Sequence, residues 1–393
     1  MIDIQRVRKE TPSCEDLVFL NSAGSSLMPK PVLETMTAFQ LLEAQIGGYA
    51  AAAQKADDIR EFYDACAILL GAKRQNIAFV FNATDGFSKA VSSIPLTKGD
   101  TILTTDDDYI SNHILFLSLQ KRFGIQIIRC GCLPSGDLDL NDMEEKIKKY
   151  KPAMVTVTHI PTNTGKIQPI ELVGELCARY DIWYIVDGCQ SAGQIPVDVA
   201  KIKCDFYSAT GRKFLRGPRG TGILYVSDKA LEKGLEPLLI DMEGAVWSEE
   251  HLYTQIAGAK RFELWEANYV NVCGLTEAVK YACNIGLENI ASYNQSLILH
   301  LKHGLKKIPD ILITENGTKS GSILTFTSYV KSLDHMKQIL DAGKVSYTVG
   351  FRHFALIDFN KKNVDWVIRL SPHYFNTIEE VDQVIDILES KAR

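Results

Sequence analysis

The run Trp183-Tyr184-Ile185-Val186-Asp187-Gly188-Cys189-Gln190-Ser191-Ala192-Gly193 passes from four apolar residues to a carboxylate, then to glycines and small side chains. Four bulky apolar residues in succession fit a strand covered on both faces, as in a parallel sheet. Asp187 is then delivered to the carboxyl edge of that sheet, where ligands of open α/β sheets bind. A strand-end aspartate can equally cap the next helix, so this stretch alone leaves both readings open.

Outward from it the same pattern repeats. Between about Pro31 and Val226, apolar runs of four to eight residues alternate with helical periodicity, as expected of parallel strands joined by crossover helices. The strand candidates are Ile77–Phe81, Thr101–Thr105, Ile125–Cys130, Met154–Thr158, Trp183–Val186, Phe206–Ala209 and Gly222–Val226. Between them, Asn112–Phe123 and Glu171–Tyr180 carry apolar residues at helical spacing. The reading is an α/β chain with a mainly parallel seven-stranded sheet and helices on both faces. After about Ile240 the pattern changes to long helices (Asn271–Ile285, Leu287–Lys306) and strands near Ser322–Phe326 and Trp366–Leu370. Thr377 and Glu380 form a capping box for a last helix, whose buried stripe is Val381, Val384, Ile385 and Leu388. The expected division is an N-terminal segment 1–30, a large domain 31–289 and a small α+β domain 290–393.

At 393 residues the chain is long enough for two or three domains. Apolar residues make up 46% and charged residues 23%, which excludes a disordered chain. A net charge of −5 gives no polyanion-binding field, so nucleic acid is not an expected partner. No run reaches the ~18 apolar residues of a membrane span, and Met1–Glu10 carries Arg6, Arg8 and Lys9 without an apolar stretch behind them. A cytoplasmic protein without a membrane partner is expected. Nine scattered cysteines have neither disulfide-framework nor zinc spacing, so no metal is expected. Neither G-x-G-x-x-G after a strand nor a P-loop occurs, which argues against nicotinamide and P-loop enzymes.

Three further strand ends carry chemistry. In Ser208-Ala209-Thr210-Gly211-Arg212-Lys213-Phe214-Leu215-Arg216-Gly217-Pro218-Arg219-Gly220-Thr221-Gly222, a lysine is flanked by arginines, and like charge favours its neutral, nucleophilic form. A solvated basic loop is the plainer reading, but four glycines argue for close backbone approach to a ligand. In Phe79-Val80-Phe81-Asn82-Ala83-Thr84-Asp85-Gly86, a strand runs into a helix start that can hold phosphate or simply be capped. In Ile368-Arg369-Leu370-Ser371-Pro372-His373, an arginine at the end of a small-domain strand can grip a carboxylate or serve a structural ion pair.

In this order the four stretches resemble the class V aminotransferase family, fold type I pyridoxal-phosphate enzymes that include cysteine desulfurases, cystine lyases and isopenicillin N epimerase. The resemblance runs from Leu20-Asn21-Ser22-Ala23-Gly24 to about Leu388 and is most specific at Val186–Ser191, Arg212-Lys213 with its glycine turn, Arg261-Phe262-Glu263 and Arg369–Thr377. It implies pyridoxal 5'-phosphate as cofactor and an amino-acid substrate processed at Cα through an aldimine and a quinonoid. Lys213 would carry the cofactor and move protons, and Asp187 would keep the ring nitrogen protonated. Gln190 would touch the phenolic oxygen and Tyr109 would stack on the ring. Thr84, with Ala83 and Asp85 beside it, and Thr210 would bind phosphate, with Arg212 able to pair with it. Asn163 would line the ring's edge and Arg369 would bind the substrate carboxylate, with Arg352 and His353 as further substrate contacts.

Departures from the family pattern bear on the reaction. Arg212 stands where many relatives have histidine, and Leu264-Trp265-Glu266 stands where desulfurases place a threonine from the neighbouring subunit. A homodimer is still implied. Desulfurases carry a sulfur-accepting cysteine on a loop ahead of the carboxylate-binding arginine; here the last cysteine is Cys283, and Thr348–Ala355 contains none. The expectation is therefore a carbon–sulfur β-lyase acting on a cysteine-derived substrate rather than a persulfide-forming desulfurase. Epimerase or aminotransferase activity is the alternative, with His353, Arg352 and His373 as candidate second acids. A non-catalytic cofactor-binding protein is the reading from another class.

Overall fold

Seven apolar runs hydrogen-bond into one sheet in the computed structural model, which describes residues 2–315 and 317–390. They are β1 (Ile77–Val80), β2 (Thr101–Thr105), β3 (Gln126–Cys130), β4 (Met154–Thr158), β5 (Trp183–Asp187), β6 (Phe206–Thr210) and β7 (Gly222–Val226). Their order across the sheet is β1-β7-β6-β5-β4-β2-β3. β7 runs antiparallel to both neighbours, and the other pairings are parallel. The side chains divide by alternation: Val155, Val157, Tyr184, Val186 and Tyr207 enter one core, and Met154, Ile185, Phe206 and Leu224 the other. Burial of both faces is why these strands, apart from the partly exposed edge strand β3, lack a polar alternation.

The C-terminal part forms a second sheet of β8 (Ile311–Ile313), β9 (Leu324–Ser328), β10 (Thr348–Phe351) and β11 (Trp366–Leu370), ordered β8-β9-β11-β10 and antiparallel throughout. Helices Leu287–Leu305, Leu333–Ala342 and Ile378–Ser390 cover it and share its core. The capping box at the last helix closes reciprocally, Glu380 N donating to Thr377 Oγ1 at 3.3 Å and Thr377 N to Glu380 Oε2 at 3.1 Å. Thr348–Ala355, read from sequence as a loop, is instead an edge strand followed by a 3₁₀ turn, Arg352–Phe354. Its register, Thr348↔Arg369 to Phe351↔Trp366, sets it beside the arginine strand.

Residues near the N-terminus form a separate two-stranded pairing that shares the core of this second sheet. Val18–Phe19 pairs in parallel with Val345–Ser346, and Val18 and Leu20 enter the core under the C-terminal helices. Among the described residues no helix is long and apolar enough to cross a membrane.

Candidate active site

The carboxyl edge of the large sheet gathers the polar strand ends. Asp187 closes β5 with only 4% of its surface exposed, and accepts hydrogen bonds from Cys189 N at 3.0 Å and Asn112 Nδ2 at 3.1 Å. Burial pushes its carboxyl above the usual range, opposed by the Cys189 amide and the Lys213 charge. Asn112 is held in turn by Asp108, which accepts from Thr104, from Thr158 at 2.5 Å and from Thr156 at 3.2 Å. A carboxylate in this setting is matched by a cationic N–H, such as that of a protonated heterocycle.

Lys213 lies in the tight connection after β6 and is 8% exposed. Gly193, with φ +83°, lets the Gly188–Gly193 turn lie directly on this connection, because a Cβ there would sit 2.7 Å from the Phe214 backbone. Burial lowers the Lys213 pKa first, and the charges of Arg212 and Arg369 act in the same direction. The sequence assigns that effect to both flanking arginines, but Arg216 takes no part. It is fully buried, donates to Leu27 O at 2.8 Å and Thr11 Oγ1 at 2.7 Å, and stacks on Phe375 and Tyr374. The Lys213 ammonium stands 5.9 Å from the centroid of the Tyr109 ring.

Two cavities meet at Lys213, Tyr109 and Arg212. One, of about 410 Å³, is bordered by Ala83, Thr84, Thr210, Cys189 and Arg219. Helix Ala83–Ser93 starts there; its Asp85 amide is taken by Asn82 Oδ1 at 3.0 Å, leaving the Ala83 and Thr84 end of the first turn beside the cavity. The other, of about 230 Å³, is bordered by Arg369, Thr162, Asn163, Thr348 and apolar side chains. Arg369 donates to Thr162 Oγ1 and, at 3.2 Å, to Thr348 Oγ1, while its Nε has no partner among the described residues. Burial, with Arg212 nearby, lowers its pKa to about 10. No carboxylate borders this cavity among the described residues.

The segment after Leu20 ties both sides together. Gln190 Nε2 donates to Ala23 O at 3.1 Å and Thr162 Oγ1 at 3.0 Å, and its buried Oε1 has no partner among the described residues. Arg212 donates to Gly24 O, Ser26 N to Arg212 O at 2.8 Å, and Ala23 N to Ser371 Oγ at 3.0 Å.

Several expected site residues lie elsewhere. Asp85 turns back on its own helix start, accepting from Phe81 N at 3.1 Å and pairing with Lys89 at 3.3 Å, so its carboxylate does not border the phosphate-sized cavity. Arg352 pairs outward with Asp365 at 2.9 Å, and His353 is exposed and stacked on Phe351; neither borders the substrate-sized cavity. His373 is fully buried between Asn294 and Phe214 O, with burial holding it neutral, and is a packing residue. Trp265, in the stretch that stands where desulfurases place the neighbouring subunit's threonine, is half-exposed and borders neither cavity. The Arg261-Phe262-Glu263 stretch is scaffold: Glu263 accepts from Phe79 N at 2.9 Å and Tyr63 OH at 3.0 Å behind β1.

Thr162, Thr348 and Asn112 join the site without having stood out in the sequence. Thr162 follows β4 closely and the strand-end rule reaches it, whereas Asn112 sits inside a helix with no local signal. The residues present fit pyridoxal phosphate: a buried carboxylate for the ring nitrogen, a buried amine, an unpartnered Gln190 oxygen, and a helix start with two threonines for the phosphate.

The family model Aminotransferase class-V matches residues 18–384. A Pyrococcus abyssi protein named "Probable cysteine desulfurase" is 28% identical, over 98% of this chain and 97% of its own length. A solved apo cysteine desulfurase from Thermococcus onnurineus NA1 superposes with a TM-score of 0.91 at 26% identity, covering 100% of this chain and 98% of that one. A cystine C–S lyase, solved with its product cysteine persulfide, has a TM-score of 0.85 over 96% of this chain and 99% of its own, but at 22% identity that likeness is one of fold. The relatives named cysteine desulfurases overturn the expectation of a carbon–sulfur β-lyase, and with it the epimerase and aminotransferase alternatives, since the lyase expectation rests on the composition of one short segment. With the sheet, the strand-end residues and a match across nearly the whole length in agreement, the chain belongs to the class V aminotransferase family, has its fold type I architecture and uses pyridoxal phosphate.

Proposed function

We propose that the protein is a desulfurase that takes sulfur from L-cysteine and leaves alanine. The observation that carries this reading is Lys213 standing where two cavities adjoin, with Arg369 lining one of them and the buried Asp187 carboxylate close enough to feel the Lys213 charge, in a chain aligned almost end to end with proteins named cysteine desulfurases. Bound pyridoxal phosphate supplies an electron sink next to the substrate Cα.

The protein's own groups do the rest. Lys213, whose pKa burial lowers, is the amine that holds the cofactor and then carries a proton to and from Cα. Asp187, fixed by Asn112 and the Cys189 amide, holds a proton on the ring nitrogen. Tyr109 would cover one ring face, and Gln190 and Asn163 would border its edge. Thr84, Ala83, Thr210 and Arg212 take the phosphate charge. Arg369, preset by Thr162 and Thr348, receives the α-carboxylate in a cavity lined by cations. A cavity of about 230 Å³ is below the ~300–1,000 Å³ of drug-sized sites and suits a small amino acid.

We also propose a homodimer, supported by the exposed apolar side chains of Leu238, Leu239, Met242, Val246 and Trp247, which lie close together in the chain around the hairpin strand Ala245–Glu249. For the reaction, the test is alanine release from L-cysteine by the holoenzyme, with borohydride reduction to locate the cofactor. Lys213 should carry the reduced label, and Lys213→Ala should lose turnover. Label on another lysine, or no alanine beside an active wild-type fold, would refute the reading.

A further inference from the structure

We infer that the sulfur acceptor is a thiol brought from outside the chain, entering through the opening between Phe351 and Phe354. This rests on the desulfurase reading and names that site's second substrate. Conversion of cysteine to alanine leaves the Cβ–S electron pair on carbon, so the sulfur must be taken by a nucleophile. A thiolate R–S⁻ attacks Sγ, an S–S bond forms, Cβ–S breaks, and Cβ receives a proton. The balance is cysteine + R–SH → alanine + R–S–SH: carbon is reduced, and the transferred sulfur is oxidised to the sulfane level. No other oxidant is required.

The attacking sulfur must stand inside the Arg369 cavity, and none of the chain's nine cysteines borders it among the described residues. Six are buried. Of the three half-buried ones, Cys283 lies within helix Tyr269–Ile285, and Cys132 stands 3.8 Å from the buried Lys166 ammonium, away from both cavities. Cys189 borders only the phosphate-side cavity, next to Asp187. Burial pushes its thiol up to about 12, which leaves little thiolate at neutral pH. The Arg369 side of the cavity, Thr325 and the residues from Thr348 to Arg369, is built from segments beyond Cys283, where the sequence contains no cysteine.

The same wall provides an entrance. Phe351 and Phe354 border the cavity while remaining 38% and 52% exposed, so this side communicates with solvent. Behind them Arg212 and Arg369 make the interior electropositive without a bordering carboxylate among the described residues, which draws in a thiolate. A small-molecule thiol and a thiol presented by a protein share this chemistry.

Holoenzyme in tenfold excess over L-cysteine keeps substrate from serving as its own acceptor. Alanine is then measured without added thiol, with glutathione, and with reduced serum albumin as a protein thiol, while the chain is mass-mapped for +32 Da adducts. The expectation is at least tenfold more alanine with an added thiol, a persulfide on that thiol, and no adduct on the chain. Response to glutathione alone identifies a small acceptor, and response to albumin admits a protein one. One equivalent of alanine without added thiol, accompanied by +32 Da on a chain cysteine, would overturn the inference while leaving the desulfurase reading intact. Absence of alanine in every arm would overturn both.

Discussion

Replacing Arg369 by alanine tests the substrate end of the site, and its effect can be worked from the geometry. The guanidinium is buried, uses Thr162 and Thr348 as braces, and keeps Nε without a partner among the described residues. A hydrogen bond from a charged donor is worth ~1.5–3 kcal/mol, and two parallel bonds to a carboxylate, partly replaced by the nearby Arg212, leave about 3 kcal/mol to lose. At 1.4 kcal/mol per decade that is roughly a 150-fold fall in kcat/KM. The loss should appear mainly in KM, because the carboxylate is bound alike before and during reaction. Arg369→Lys keeps the charge without the fork and should lose about tenfold. Steady-state alanine formation across L-cysteine concentrations gives both constants, and the visible absorbance of bound cofactor shows that its site persists. A KM within threefold of wild type, or loss of cofactor colour, would refute the assignment.

Asp187→Ala should weaken cofactor binding by about 100-fold, about 3 kcal/mol for a buried charge-assisted bond, as read by cofactor titration of the stripped protein; Asn112→Ala should cost about tenfold in the same titration. Glu263 gives a pH prediction. Burial raises its carboxyl from 4.5 to about 7 in the fold, so the folded state binds the extra proton between those values. Its favourable contribution is present below pH 4.5 and is lost as pH rises through 7, at most about 3 kcal/mol. Glu263→Gln, which still accepts from Phe79 N, should therefore raise Tm by several degrees at pH 8 and leave it unchanged at pH 5, measured by calorimetry; an equal shift at both pH values would contradict it.

Strands buried on both faces announce themselves as apolar runs, which is why β5 and its terminal Asp187, and the lysine turn after β6, are readable from residue order. What one sequence hides is where a side chain turns in space. Arg352 and His353 sit next to the cavity in sequence, yet a 3₁₀ turn points them outward, toward Asp365 and Phe351. Arg216 looks like part of the lysine's charge field, but its aromatic cage comes from residues 281–375. Asn112 reaches Asp187 across 75 positions, a pairing no local pattern signals. The reaction is not legible in one segment either: Thr348–Ala355 lacks a cysteine, yet the relatives that align over nearly the whole length are named cysteine desulfurases.

Residues 18–26 make their bonds with Val345, Ser371, Arg212 and Gln190, partners up to about 350 positions away. On a ribosome these residues emerge long before the strands they join, so the Ala23–Gly24 side of the Arg369 cavity stays unassembled until Trp366–Leu370 has been made. Assembly of the site thereby waits for closure of that very long loop.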